Sequence, residues 1–133
     1  MDPMFFENKS RHGFEETVER LSEIAPGNGW KIIQVLDLQG MMRKNGKEVL
    51  PVKVIELCKP DYAYQLLSDD DLRIYANMMP CRISVHQKAD GQTYVSRMNS
   101  AMFAAQIGGV LQDVMSDAYS EVEGFIQQIA VND

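Results

Sequence analysis

The chain has 133 residues, 45% of them hydrophobic and 24% charged, with a formal net charge of −6. That length suits a single domain over residues 1–133 with one ordinary core, and no apolar run approaches the roughly 18 residues that a bilayer span requires. All 13 Lys and Arg residues lie at or before Arg97, while Asp113, Asp117, Glu121, Glu123 and Asp133 follow it, so there is no concentrated basic surface for a nucleic-acid backbone.

Met4-Phe5-Phe6-Glu7-Asn8 is a short apolar run that reads as a first strand. Phe14, Thr17, Val18, Leu21 and Ile24 then recur at helical spacing, with Glu15, Glu16 and Glu19 in the early turns where the helix dipole favours anions, and Pro26-Gly27-Asn28-Gly29 stops the helix. Residues 30–36 form a strand with apolar side chains at both parities, Trp30, Ile32 and Leu36 on one side and Ile33 and Val35 on the other. A strand of that kind is expected to be covered on both faces. Residues 37–46 read as a capped short helix or long turn ending at Asn45-Gly46. A second strand region spans 49–58, where Pro51 calls for an edge position or a start at Val52. Pro60 opens a short helix that closes at Ser68. Asp69-Asp70-Asp71 lacks the alternating oxygen ligands, central Gly and closing Glu of a calcium loop, and reads as a helix start.

Asp90-Gly91 between two β-rich runs is a strong hairpin signal for a two-residue type I′ turn. Pairing Ala89 with Gln92 sets Gln87 opposite Tyr94, Val85 opposite Ser96 and Ile83 opposite Met98. Alternation then sends Cys81, Ile83, Val85, Tyr94 and Met98 to the core face, and Arg82, Ser84, His86, Lys88, Thr93, Val95 and Arg97 to the other. After the hairpin, Asn99 or Ser100 caps a terminal helix with apolar positions Phe103, Ile107, Val110, Val114, Ala118, Val122, Phe125 and Ile129. Asp113, Asp117 and Glu121 form its expected solvent stripe, and Gly108-Gly109 marks a kink or break. The element order predicts α+β: an antiparallel sheet of about four or five strands with two main helices on one face.

Gly29-Trp30, Cys58-Lys59-Pro60-Asp61 with Ala63 and Leu66-Leu67, Met79-Pro80-Cys81-Arg82-Ile83-Ser84-Val85, Asp90-Gly91 and Met98-Asn99 occur in an order and spacing that resemble the domain of unknown function 302, a small bacterial and archaeal α+β domain. The resemblance covers nearly the whole chain. It implies a curved antiparallel sheet carrying helices, in a TATA-binding-protein-like arrangement, and a tendency to homodimerise. It carries no activity and no catalytic residues across.

Two functional readings follow. In the first, Arg82, His86, Lys88 and Arg97 form a basic face in an otherwise acidic protein, suited to a small anionic ligand. In the second, the same sheet face joins two copies, because helices on one side leave Ile33 and Val35 without cover. The two coexist if the ligand lies at the dimer seam. The alternative class is a soft-metal, haem or thiol-redox protein that uses Cys58, Cys81 and the methionines. His12 and His86 are the other candidate ligands, but Cys81 and His86 point to opposite faces. No cofactor is implied. No Ser or Cys sits in a nucleophile elbow, and Arg82 lies on the face opposite Cys81, so the residues lean away from an enzyme.

Cys58 ends one strand and Cys81 begins the next, so antiparallel neighbours would bring them to one sheet edge, where a disulfide requires Cα atoms roughly 4.4–6.8 Å apart. The start of the chain lacks the basic and apolar pattern of a leader, so a cytoplasmic protein with reduced thiols is expected, or a periplasmic one if a leader was removed. No membrane insertion is expected.

Overall fold

The computed structural model describes residues 3–131. Five strands, β1 (Phe5–Lys9), β2 (Lys31–Asp37), β3 (Val52–Cys58), β4 (Cys81–Gln87) and β5 (Thr93–Met98), form one antiparallel sheet in the order β1-β5-β4-β3-β2. Helix α1 (Phe14–Gly27) precedes β2, and α2 (Leu38–Lys44) follows it. Between β3 and β4 lie α3 (Pro60–Leu67) and a 3-10 helix (Arg73–Met78). The chain then closes with α4 (Ser100–Ile107) and α5 (Gly109–Gln127). This is the expected α+β architecture, with α1 and α5 packed on one face of the sheet.

The core lies between that face and the two helices. Val18, Leu21 and Ala25 of α1 and Ala118, Val122, Phe125 and Ile126 of α5 meet Ile55, Leu57, Ile83, Val85 and Val95 of the sheet. Side chains such as Leu21, Ile55, Leu57 and Ile126 are 0–1% exposed, a burial that stabilises by about 1.5–3 kcal/mol each. A second apolar cluster, Leu66, Ala104, Leu111, Val114 and Met115, joins α3, α4 and α5 beyond one end of the sheet.

Several local expectations hold. Asp37 caps α2 by accepting from the Gly40 N–H at 3.0 Å, Pro60 occupies the first turn of α3, and the Asp69 carboxylate accepts from the Asp71 N–H at 2.8 Å ahead of the 3-10 helix. β3 starts at Val52 and is an internal strand, so Pro51 marks the start of a strand rather than an edge.

The hairpin register differs from the expected one by a single residue. The Lys88 N–H donates to the Gln92 carbonyl at 3.1 Å and the Gly91 N–H to the Lys88 carbonyl at 2.9 Å, so the loop has three residues, with Gly91 in the left-handed region at φ +81°. That is the alternative hairpin geometry in which glycine takes the left-handed position after a type I turn. Gln87 therefore faces Thr93, His86 faces Tyr94 and Val85 faces Val95. One residue of slip exchanges the faces of the whole of β5: Thr93, Val95 and Arg97 point to the helices, and Tyr94, Ser96 and Met98 to the open side. β4 keeps its assignment.

Two further differences concern β2 and the terminal helices. A bulge between Ile32 and Gln34 puts Val35 opposite the core residue Ile55 and Leu36 opposite Val54, so parity inverts beyond the bulge. Ile33, at the bulge, is 55% exposed. Gly108 and Gly109 both have positive φ and break the helix; beyond the break the expected positions Val114, Ala118, Val122, Phe125 and Ile129 are buried, and the departure is confined to the residues beside it. Leu111 and Met115 are buried, whereas Ile107 and Val110 are about half exposed.

Arg97, 8% exposed, donates from Nε and Nη2 to the two Glu123 carboxylate oxygens of α5 at 2.6 and 2.7 Å, and from Nη1 to Asn8 Oδ1 at 2.5 Å. The paired fork joins β5 to α5 and β1. Arg97→Ala is expected to cost about 3 kcal/mol, because it leaves the Glu123 charge partly buried and unpaired. Urea denaturation of wild type and variant measures it; a loss of about 1 kcal/mol or less, the range of surface pairs, would show that water replaces the guanidinium.

Candidate functional site

The sheet parts in its middle. Lys88 and Gln92 form a hydrogen-bonded pair, so alternation makes His86/Tyr94 and Ser84/Ser96 the next such pairs and Arg82/Met98 the one after. Pairing between β4 and β5 stops at Ser84–Ser96. β4 nevertheless continues to Cys81 against β3, and β5 to Met98 against β1. Arg82 and Met98 therefore stand across a gap without a ladder bond. The gap is the end of a cleft of about 540 Å³, with Phe5, Arg82, Ser84, Ser96 and Met98 from the open side of the sheet, Met78, Met79 and Pro80 along one wall, and Met115, Tyr119 and Val122 of α5 on the helix side.

The four basic residues taken from the sequence do not form one patch. Arg82 lies at the cleft, 56% exposed, with Nε 3.7 Å from Glu56 Oε2. His86 and Lys88 share the open face and converge on Glu7 of β1, at 3.0 and 2.6 Å. The bond from Lys88, above all, holds the Glu7 carboxyl below its ordinary value. The Lys88 ammonium also sits over the Tyr94 ring, 4.1 Å from its centroid, and His86 stacks on the same ring. Arg97 lies on the helix side in the Glu123 fork. Each cation has a carboxylate, supplied by a strand or helix distant in sequence, and Arg82 has the loosest one.

The family model described as Domain of unknown function DUF302 matches residues 6–129. The chain belongs to the DUF302 family. A crystal structure of an uncharacterized conserved DUF302 protein from Bacillus stearothermophilus is similar to it with a TM-score of 0.85 and 18% identity, covering 96% of this chain and 99% of that one; at that identity the likeness is one of fold. No curated protein matches. Among the described residues of this DUF302 chain, no helix is long and apolar enough to cross a membrane.

Cys58 and Cys81 are free thiols. Leu57 is the direct partner of Cys81, which places Cys58 one residue out of register. Cys58 and Cys81 nevertheless both line the small pocket beside Trp30. Burial raises both thiols above their ordinary value, Cys81 to about 11, so neither is an activated nucleophile at neutral pH. His12 lies near Glu16, 3.7 Å away, and among the described residues no three His, Cys, Asp or Glu side chains are grouped to hold a metal ion.

The acidic stripe of α5 is not wholly solvated. The Glu121 carboxylate accepts from Trp30 Nε1 at 3.1 Å, from Lys59 Nζ at 3.1 and 3.4 Å, and from the Tyr62 hydroxyl. This cluster holds α5 to the start of β2 and to α3, against a small cavity of about 30 Å³ lined by Trp30, Cys58, Lys59, Tyr62, Met79, Cys81 and Met115 among others. Only tertiary packing brings these donors together; their sole trace in the sequence is a glutamate on the helix that also carries the apolar stripe.

The cluster sets a pH dependence. Partial burial raises the Glu121 carboxyl, but the bonds from Tyr62, Trp30 and Lys59 outweigh it and leave the group below its ordinary 4.5. Its contribution to stability is therefore present above pH 4.5 and lost as the pH falls through the lower native value. The bond to Glu121, with burial, pushes the Tyr62 phenol from 10 up to about 12, so its contribution is complete below pH 10 and lost as the pH rises toward 12. Glu121→Gln should flatten both limbs in a series of urea midpoints across pH. Limbs as steep as those of wild type would show that other groups set them.

Proposed function

We propose that this DUF302 chain is a small-molecule binding domain whose site is the cleft between the parted ends of β4 and β5, and that it takes a small amphipathic anion. The observation that carries this reading is the parting itself: a central ladder that stops at Ser84–Ser96 while both strands continue, opening about 540 Å³, within the size range of ligand sites. The cleft is lined mostly by apolar side chains, with the Ser84 and Ser96 hydroxyls and the loosely paired Arg82 guanidinium at its open side. Arg82 is the natural partner for a carboxylate or phosphate, since its planar fork offers two parallel donors. His86 and Lys88 lie farther along the open face, occupied by Glu7, and Arg97 supports the helix-side wall.

The test is a thermal-shift series with straight-chain carboxylates and alkyl phosphates of increasing length. Stabilisation should grow with chain length in wild type and disappear in Arg82→Ala, while Lys88→Ala keeps it. An absence of any shift in wild type across the series would remove the reading.

Self-association is the second reading, favoured by Phe5 and Met98. These are direct cross-strand partners, 60% and 45% exposed at the mouth of the cleft, and a second copy laid on the open face would cover both. Light scattering at micromolar concentration should then give twice the 15.1 kDa chain mass, falling to that of one chain in Phe5→Lys. A wild-type mass of 15.1 kDa would exclude it.

A further inference from the structure

The chain has nine methionines and two cysteines, and five of these eleven sulfur side chains line the one cleft: Met78, Met79, Cys81, Met98 and Met115. They come from four places in the fold, namely the end of the 3-10 helix, the entry to β4, the end of β5 and the first half of α5. Three of them, Met79, Cys81 and Met115, also line the small cavity of about 30 Å³ beside Trp30, so they form the wall common to both spaces. Met115 is buried and Cys81 half-buried. The wall thus gathers one thiol and two thioethers between the cleft and a small pocket with room for little more than an ion or a water or two, which Cys58 lines from the other side.

We propose that this wall binds a soft monovalent cation, Cu(I) or its redox-inert analogue Ag(I), through Cys81 Sγ with Met79 and Met115 Sδ. The choice of ion follows from ligand softness and charge. Thiolate and thioether donors select Cu(I) over hard cations. One thiolate with two neutral thioethers offsets one positive charge, so a monovalent ion leaves this donor set neutral, whereas a divalent ion would leave it with an uncompensated charge. The binding step breaks the Cys81 S–H bond, forms an S–Cu bond and releases the proton to solvent; copper enters and stays as Cu(I), so no electron moves. Because the thiol must lose its proton to ligate, this release is the pH-dependent part of binding. The cleft supplies the entry path. This inference does not rest on the anion reading, which uses Arg82 and the open side.

The experiment is an anaerobic titration of the full chain with Cu(I) in competition with a chromogenic chelator, repeated with Ag(I), with Trp30 fluorescence as the second readout. One equivalent of either ion should be retained, with a change in Trp30 emission and tighter binding as the pH rises. Cys81→Ser should abolish retention, and Met79→Leu with Met115→Leu should weaken it while keeping the packing volume. The proposal is overturned if wild type yields all its copper to the chelator. It is also overturned if Cys58→Ser removes binding as fully as Cys81→Ser, which would mark a paired-thiol site, or if the double leucine variant binds like wild type, which would mark the methionines as apolar lining only.

Discussion

The three-residue turn at 89–91 governs the middle of this molecule. Adding one residue to the loop shifts β5 by one position against β4, and because side chains alternate along a strand the shift turns Arg97 inward and Met98 outward. An inward arginine at the end of a central strand requires an anion close by, and α5 supplies Glu123 at 2.6 Å. The same slip stacks Tyr94 on His86 on the open face, and the exchange of side chains along β5 places Ser96 and Met98 at the mouth of the cleft.

The parting of β4 from β5 rests on partners outside that pair. β4 continues to Cys81 because β3 holds it, and β5 continues to Met98 because β1 holds it. Each strand therefore has one satisfied edge beyond the point where the two diverge, and the opening between them is walled by the turn into β4 and by α5. A sheet that parts between paired flanks keeps its shape without a central ladder at that end, so the cleft is part of a framed structure. Its lining combines flexible, polarizable methionines with a guanidinium held only loosely, at 3.7 Å from its carboxylate.

On the far side of α5, Glu121 plays the matching part. A carboxylate on a long helix accepts from an indole, an ammonium and a phenol on three other segments, and so fixes α5 against Trp30 and α3. Glu123, two residues on, binds β5. Opposite sides of a single turn of one acidic helix thus tie it to opposite parts of the fold, and the negative charge gathered after Arg97 is partly an internal fastening.

The sequence by itself determined the elements, because their signals are local: the apolar period of α1, the Asp37 cap, Pro60 at a helix start, the Gly108-Gly109 break and the turn at Asp90-Gly91 each act within a few residues. It also carried the α+β class and the family resemblance, and Cys81 and His86 fall on opposite faces by strand alternation alone. Three things were decided only by tertiary structure. The first is the hairpin register, since two- and three-residue loops both satisfy Asp-Gly and the choice depends on what β5 meets on each face. The second is the facing of residues at an irregularity: the bulge at Ile33 inverts β2, and beside the glycine break Leu111 and Met115 are buried while Ile107 and Val110 are half exposed. The third is charge pairing. Arg82, His86, Lys88 and Arg97 read as one basic face along the chain, but Glu7, Glu56 and Glu123 arrive from other elements to pair them, and carboxylates that distant in sequence leave no local mark.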